Sequence, residues 1–163
     1  MSKSACARIL VASSVLLLSP ASAGPLAEPL RFFDGTTVSE SKVQIIFRKA
    51  FTSRSVGRGK INPDGSLDLV QRVEEDGRAF ERRWHIKRVG PKRFTGTMSD
   101  ATGGVAIDEL EDRYRFRFTM KGNLKIEQWL IPLPGGRSAR NETTIRKHGV
   151  VVGRSKGTIR KIA

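Results

Sequence analysis

"RYRFRFTMK", residues Arg113 to Lys121, alternates without a break. Arg113, Arg115, Arg117, Thr119 and Lys121 take the odd positions, and Tyr114, Phe116, Phe118 and Met120 the even ones. Side chains on a strand point to opposite faces with period two, so this run reads as a strand with one apolar and one charged face. A platform for single-stranded nucleic acid needs its rings exposed beside its cations. Here rings and cations lie on opposite faces, which fits one wall of a barrel with the rings turned inward.

The same texture continues in both directions. Turn signals recur at Asn62-Pro63-Asp64-Gly65, Asp76-Gly77, Gly90-Pro91, Gly103-Gly104, Gly122-Asn123 and Pro134-Gly135-Gly136. Between them lie "LDLVQRV", "FERRWHIKRV" and "LKIEQWLIPL", rich in β-branched and aromatic residues. "ESKVQIIFRKAF" (Glu40 to Phe51) reads as one further strand, and no segment after residue 35 carries a helical period. Short strands joined by hairpin turns predict an antiparallel sandwich or barrel. About eight or nine strands suffice to close an up-and-down barrel, remove exposed edges and enclose one small ligand. The expectation is an all-β fold, a single antiparallel up-and-down barrel over residues 36–163. Residues 24–35 precede it as a lead-in whose "RFFDG" forms an apolar plug and a turn.

The N-terminus reads as a targeting signal. Lys3 and Arg8 form a charged start, Ile9 to Leu18 is a short apolar core, and Ala21-Ser22-Ala23 offers a small-residue cleavage site before Gly24. The apolar run is too short to span a bilayer. Cleavage of residues 1–23 predicts a periplasmic or secreted product. Cys6, the single cysteine, precedes the apolar core and is placed wrongly for lipid anchoring. Its removal leaves no disulfide and no thiolate metal site. The segment carries two of the 30 basic residues and none of the 16 acids, so the remaining 140 residues keep a net +12. Such a charge attracts anionic membrane surfaces, acidic polysaccharide or nucleic acid and says nothing about fold.

Period two also sorts the candidate inner face. Phe80, Arg82, Trp84 and Ile86 share one face, as do Phe94, Gly96, Met98 and Asp100 on the next strand. "VGPKRF" makes these strands neighbours, so Arg82 and Asp100 can both point inward. A buried charge is costly unless paired and hydrogen-bonded, so an inward Arg82 needs Asp100 or an anionic ligand. A solvated Arg82 on a twisted edge stays open, because alternation does not fix register. In "LKIEQWLIPL", Trp129 alternates with Glu127 and Ile131 against Ile126, Gln128 and Leu130, so Glu127 or Gln128 faces inward. A core with a few polar groups is the composition of a ligand pocket.

"FFDG", "RRW", "FTGTMSDATG", "DRYRF", "EQW", "NETTIRKHGVVVG" and "GTIRK", in this order over residues 32–162, resemble a bacterial family numbered 3833 among domains of unknown function. The resemblance implies a lipocalin-like, exported barrel. It places the family's recurrent polar positions on Arg82, Trp84, Asp100, Tyr114, Trp129, Asn141 and Lys147. Two departures stand out. The lipoprotein cysteine of many relatives is missing, and the acidic pair that precedes the family's tryptophan is Glu127-Gln128 here.

Several motifs mimic chemistry. "GRSKG" (Gly153 to Gly157) matches the G-x-S-x-G nucleophile pattern, yet no histidine follows it, and a strand is the better reading. "SESK" (Ser39 to Lys42) lacks the companion motifs of an S-x-x-K enzyme. His85 and His148 share no metal-binding spacing, and His85 falls on the solvated face. "DELED" (Asp108 to Asp112) reads as a solvated acidic rim, since it lacks the ligand periodicity of a calcium loop. "RKHGVVVGRSKGTIRK" (Arg146 to Lys161) interleaves cations with a buried-looking Val150 to Val152. Without a helix-turn-helix, zinc finger or RNP-like motif, sequence-specific nucleic-acid binding is not expected.

The resulting expectation is a non-enzymatic, exported barrel that needs no cofactor or metal and binds a small apolar or amphipathic ligand. Its contacts are Arg82, Trp84, Phe94, Asp100, Tyr114, Phe116, Phe118 and Trp129. The alternative is an interaction module whose basic exterior contacts an anionic membrane surface or another polyanion.

Overall fold

The computed structural model describes residues 28–163. The expected signal at residues 1–23 lies outside the described residues. A 3-10 turn at Pro29–Phe32 leads into ten strands: β1 (Gly35–Ile45), β2 (Phe51–Ile61), β3 (Leu67–Glu75), β4 (Arg78–Gly90) and β5 (Arg93–Met98), then β6 (Val105–Glu109), β7 (Tyr114–Met120), β8 (Leu124–Pro132), β9 (Ser138–Lys147) and β10 (Val150–Lys161). Each strand pairs antiparallel with the next, and β10 returns to β1, so the sheet closes into an up-and-down barrel with no free edge.

The count of ten exceeds the eight or nine expected, and the "ESKVQIIFRKAF" run explains part of the excess. It is not one strand: β1 stops at Ile45, and a turn at residues 46–50 reverses the chain into β2. That turn contains no glycine, proline, asparagine or aspartate, because Phe47 itself takes the left-handed conformation (φ 61°). His148 and Gly149 do the same between β9 and β10, both at positive φ, the requirement of a two-residue hairpin.

Alternation along each strand separates an inner from an outer face, and the strand directions give the barrel two unlike ends. The end holding the 3-10 turn is a packed floor. Leu30, Phe32 and Phe33 are buried there against Leu67, Leu69, Ile86, Phe94, Val105, Ile107, Tyr114, Leu130, Ala139 and Ile159. Burying each large apolar side chain is worth roughly 1.5–3 kcal/mol, so this floor is the main stabilising element of the fold. Phe32 and Phe33 meet edge to face with ring centres 5.0 Å apart. The plug is tied down by Asp34, whose Oδ1 accepts the Ile61 backbone N–H at 3.2 Å. Gly59 permits this crossing, since a Cβ there would lie 1.9 Å from the Phe33 carbonyl oxygen.

The other end is open. Inward-facing Gln71, Gln128, Asn141, Thr143 and Ser155 remain partly exposed although the wall around them is closed. Asp108 departs from the solvated rim expected of "DELED". It lies on the outer face of β6, where its Oδ2 accepts from Arg115 and Arg117 at 3.1 and 2.9 Å. Val150, expected to be buried, is 63% exposed at the start of β10.

Candidate functional site

The open end gathers most of the polar groups that face inward. The β4–β5 hairpin pairs Trp84 with Met98, and continuing that register by two residues brings Arg82 opposite Asp100. Arg82 Nε donates to Asp100 Oδ2 at 2.8 Å, with side-chain exposures of 21% and 29%. The guanidinium carbon also sits 5.4 Å from the centre of the Phe80 ring. No other hydrogen bond to Arg82 occurs among the described residues, so its two terminal amino groups stay uncommitted. With Glu75, Arg78, Ala79, Phe80 and Met120, the pair lines a mouth pocket of about 560 Å³. The interior placement of Arg82 and Asp100 is the alternative that the geometry selects.

One layer deeper, the tryptophan indole marks the boundary between mouth and floor. Trp84 Nε1 donates to Gln71 Oε1 at 2.6 Å, and its ring meets Phe118 edge to face with centres 5.7 Å apart. Across the lumen Gln128 Nε2 donates to Asn141 Oδ1 at 2.8 Å. Gln128, not Glu127, is therefore the inward member of that dipeptide. Below this layer a cavity of about 40 Å³ lies between Phe33, Leu69, Gln71, Trp84, Ile86, Phe116, Gln128, Leu130 and Ile159. That is space on the scale of a water molecule or two.

The sequence-derived contact set thus divides three ways. Arg82, Trp84, Asp100 and Phe118 cluster at and just below the mouth. Phe94, Tyr114 and Phe116 face inward too, but they belong to the packed floor, where Tyr114 is 2% exposed. Trp129 does not face the lumen: it stands on the outer face of β8, with the guanidinium carbons of Arg113 and Arg115 5.9 and 5.8 Å from its ring centre. Stacking on weakly hydrated guanidinium groups satisfies an indole outside the core. His85 is also outward, its Nδ1 2.7 Å from Asp68 Oδ1.

Two features escaped sequence reasoning. Gln71 is the polar member of an otherwise apolar inner row, Leu67-Leu69-Gln71-Val73, and that interruption was its signal. The second is a small, hydroxyl-rich wall: Ser39, Ser41, Ser53, Ser55 and Ser155 all face inward, with Ser39 Oγ and Ser55 Oγ 2.7 Å apart. "SESK" and "GRSKG" supply three of these serines as alternating strand residues, and neither makes a nucleophile turn.

The comparisons bear on the fold and the family. No curated protein sequence matches the chain. Among solved structures, the S-type phycobiliprotein lyase CPES from Guillardia theta superposes with a TM-score of 0.65, covering 82% of this chain and 90% of that one. The two are 10% identical, so the likeness is one of fold, a lipocalin-like barrel. A family model described as protein of unknown function, DUF3833, matches residues 9–161, and the chain belongs to that family.

Proposed function

We propose that this protein is an exported, non-enzymatic carrier or receptor that takes a small amphipathic acid at the open end of its barrel. The mouth pocket carries the reading: Arg82 is anchored by Asp100 through one nitrogen and keeps its other amino groups for a ligand's acid group. A planar guanidinium suits a carboxylate or phosphate bidentately. Phe80, Met120 and Phe118 offer apolar surface beside it. Apolar lining with a few placed polar groups is the usual make-up of a small-molecule site. The packed floor limits insertion, so the apolar part of the ligand lies along the mouth and does not thread the barrel. Export rests on the apolar Ile9–Leu18 run and the Ala21-Ser22-Ala23 cleavage signal.

Titration with dodecanoate, followed by Trp84 emission in a Trp129→Phe background, tests the site. Saturable quenching or a blue shift is expected, and Arg82→Met should abolish it. Emission that is indifferent to dodecanoate and to a panel of alkyl phosphates would count against the reading.

A further inference from the structure

The rim of the open end carries an apolar tip. Phe47 is fully exposed (101%), with Ile46 at 47% and Val150 at 63%. Ile46 and Phe47 lie beside the start of β10, which Val150 opens, because the Ile46 backbone N–H donates to the Val152 carbonyl at 3.0 Å. Phe47 also sits at φ 61°, which a bulky side chain adopts at a cost. A chain that spends conformational energy to hold a phenyl ring in water marks a place of contact.

The outer wall just behind this tip is cationic. Lys42 of β1 lies directly opposite Lys156 of β10, and Arg154 stands opposite Gln44 in the next outward pair. Like charges opposite one another destabilise a sheet. No carboxylate forms an ion pair with Lys42, Arg154 or Lys156 among the described residues: Glu142, directly opposite Lys156 on β9, pairs with Arg140 instead. Lys49 and Lys147 add exposed charge in the same two hairpins. Arg48 is different, since it binds Asp76 of the β3–β4 turn and braces the tip against the rest of the rim.

We propose that the protein docks mouth-first on an anionic lipid bilayer, burying Ile46, Phe47 and Val150 among the lipids while Lys42, Lys49, Lys147, Arg154 and Lys156 take the headgroups. A bilayer is the partner that supplies both halves of the match: an apolar layer beneath a sheet of negative charge. A soluble polyanion would use the lysines and leave Phe47 in water. A second copy of this chain, itself at +14 overall, would set these cations against each other. The docking surface is distinct from the ligand pocket and does not depend on it, although both open at one end of the barrel.

Co-sedimentation with vesicles of phosphatidylglycerol and phosphatidylcholine, against vesicles of phosphatidylcholine alone, tests the proposal. Binding to the anionic vesicles is expected, and it should weaken as salt rises. Phe47→Gly removes the ring and relieves its backbone, so the fold is kept while affinity drops about tenfold. Lys42→Gln and Lys156→Gln should each cost about fivefold. In Phe47→Trp, emission should shift to the blue on adding anionic vesicles, a readout that reports the tip itself. The proposal falls if Phe47→Gly binds as the parent does. It falls equally if the parent ignores anionic vesicles, or if it binds heparin with an affinity that Phe47→Gly leaves unchanged and the tryptophan at position 47 stays in water.

Discussion

Arg82 and Asp100 meet at the mouth of the barrel, Nε donating to Oδ2 across 2.8 Å, in the register that prolongs the β4–β5 ladder. With side-chain exposures of 21% and 29%, the pair lies between a surface ion pair and a buried one. Exposed pairs contribute up to about 1 kcal/mol, whereas stranding one partner of a buried pair costs roughly 3–5 kcal/mol. Asp100→Ala should therefore destabilise by roughly 1–3 kcal/mol, read from urea midpoints. Arg82→Met with Asp100→Leu should recover much of the loss, since neither charge is then desolvated. That double variant should fold and fail to bind dodecanoate. A cost for Asp100→Ala well under about 1 kcal/mol would place the pair in effect on the surface.

The indole of Trp84 makes a second test inside the same wall. Its N–H reaches Gln71 Oε1 at 2.6 Å, and the side chain is almost wholly enclosed. Gln71→Leu leaves that donor without its acceptor, at a cost of about 1–3 kcal/mol. Gln71→Glu keeps an acceptor and should cost less. In a Trp84→Phe background Gln71→Leu should be nearly neutral, because no donor remains to be stranded. Equal costs in both backgrounds, measured by a double-mutant cycle, would show that Gln71 acts through something other than the indole.

What could be read in advance depended on whether two signals coincided. Arg82 and Asp100 were within reach because Gly90-Pro91 marks the hairpin and alternation then pairs the flanking rows. Trp129 was not, because period two says which residues share a face and is silent on which face is inside. There the deciding fact is tertiary: Arg113 and Arg115 cover the indole from outside. Height along the barrel is equally hidden, as it follows from strand tilt and stagger. Hence Phe94, Tyr114 and Phe116 face inward as expected but lie in the packed floor, below the mouth. The β1–β2 hairpin was missed because its turn breaks the usual residue preferences at Phe47, and that same breach marks the tip of the rim.

Gly157 offers a test of barrel closure and of the "GRSKG" motif together. It lies opposite Ser41 where β10 joins β1, and a Cβ on it would come within 2.0 Å of the Glu40 carbonyl oxygen and 2.5 Å of Ser41 Cα. Both are backbone atoms of β1, which cannot swing aside as the nearby Ser41 hydroxyl can. Gly157→Ala should destabilise by roughly 3 kcal/mol or more, at the upper end of overpacking costs. Ser155→Ala, which removes the motif's hydroxyl from a partly exposed inward position, should stay within about 0.5 kcal/mol. Thermal unfolding of the two variants separates a structural motif from a catalytic one. A Gly157→Ala variant as stable as the parent would contradict the Ser41–Gly157 register.

The outer wall predicts a pH dependence centred on Asp108. Burial raises its carboxyl, but the hydrogen bonds and charges of Arg115 and Arg117 outweigh that and hold it below the ordinary carboxylate value of 3.8. A group depressed in the folded state adds stability that is present above the unfolded value and is lost as pH falls through the folded one. The contribution of Asp108 is therefore complete at neutral pH, begins to fall near the unfolded value of about 4 and is lost as pH drops through the lower folded one. Asp108→Asn should lower the urea midpoint at pH 7, and the gap between variant and parent should close on acidification. The parent keeps a further acid-sensitive term from Asp68, lowered by its hydrogen bonds to His85 and Asn62, so the variant's own stability still falls in acid. The gap between the two curves is the quantity to follow. If it stays constant from about pH 7 to about pH 2.5, the arginines hold Asp108 by geometry alone and its charge contributes nothing to the linkage.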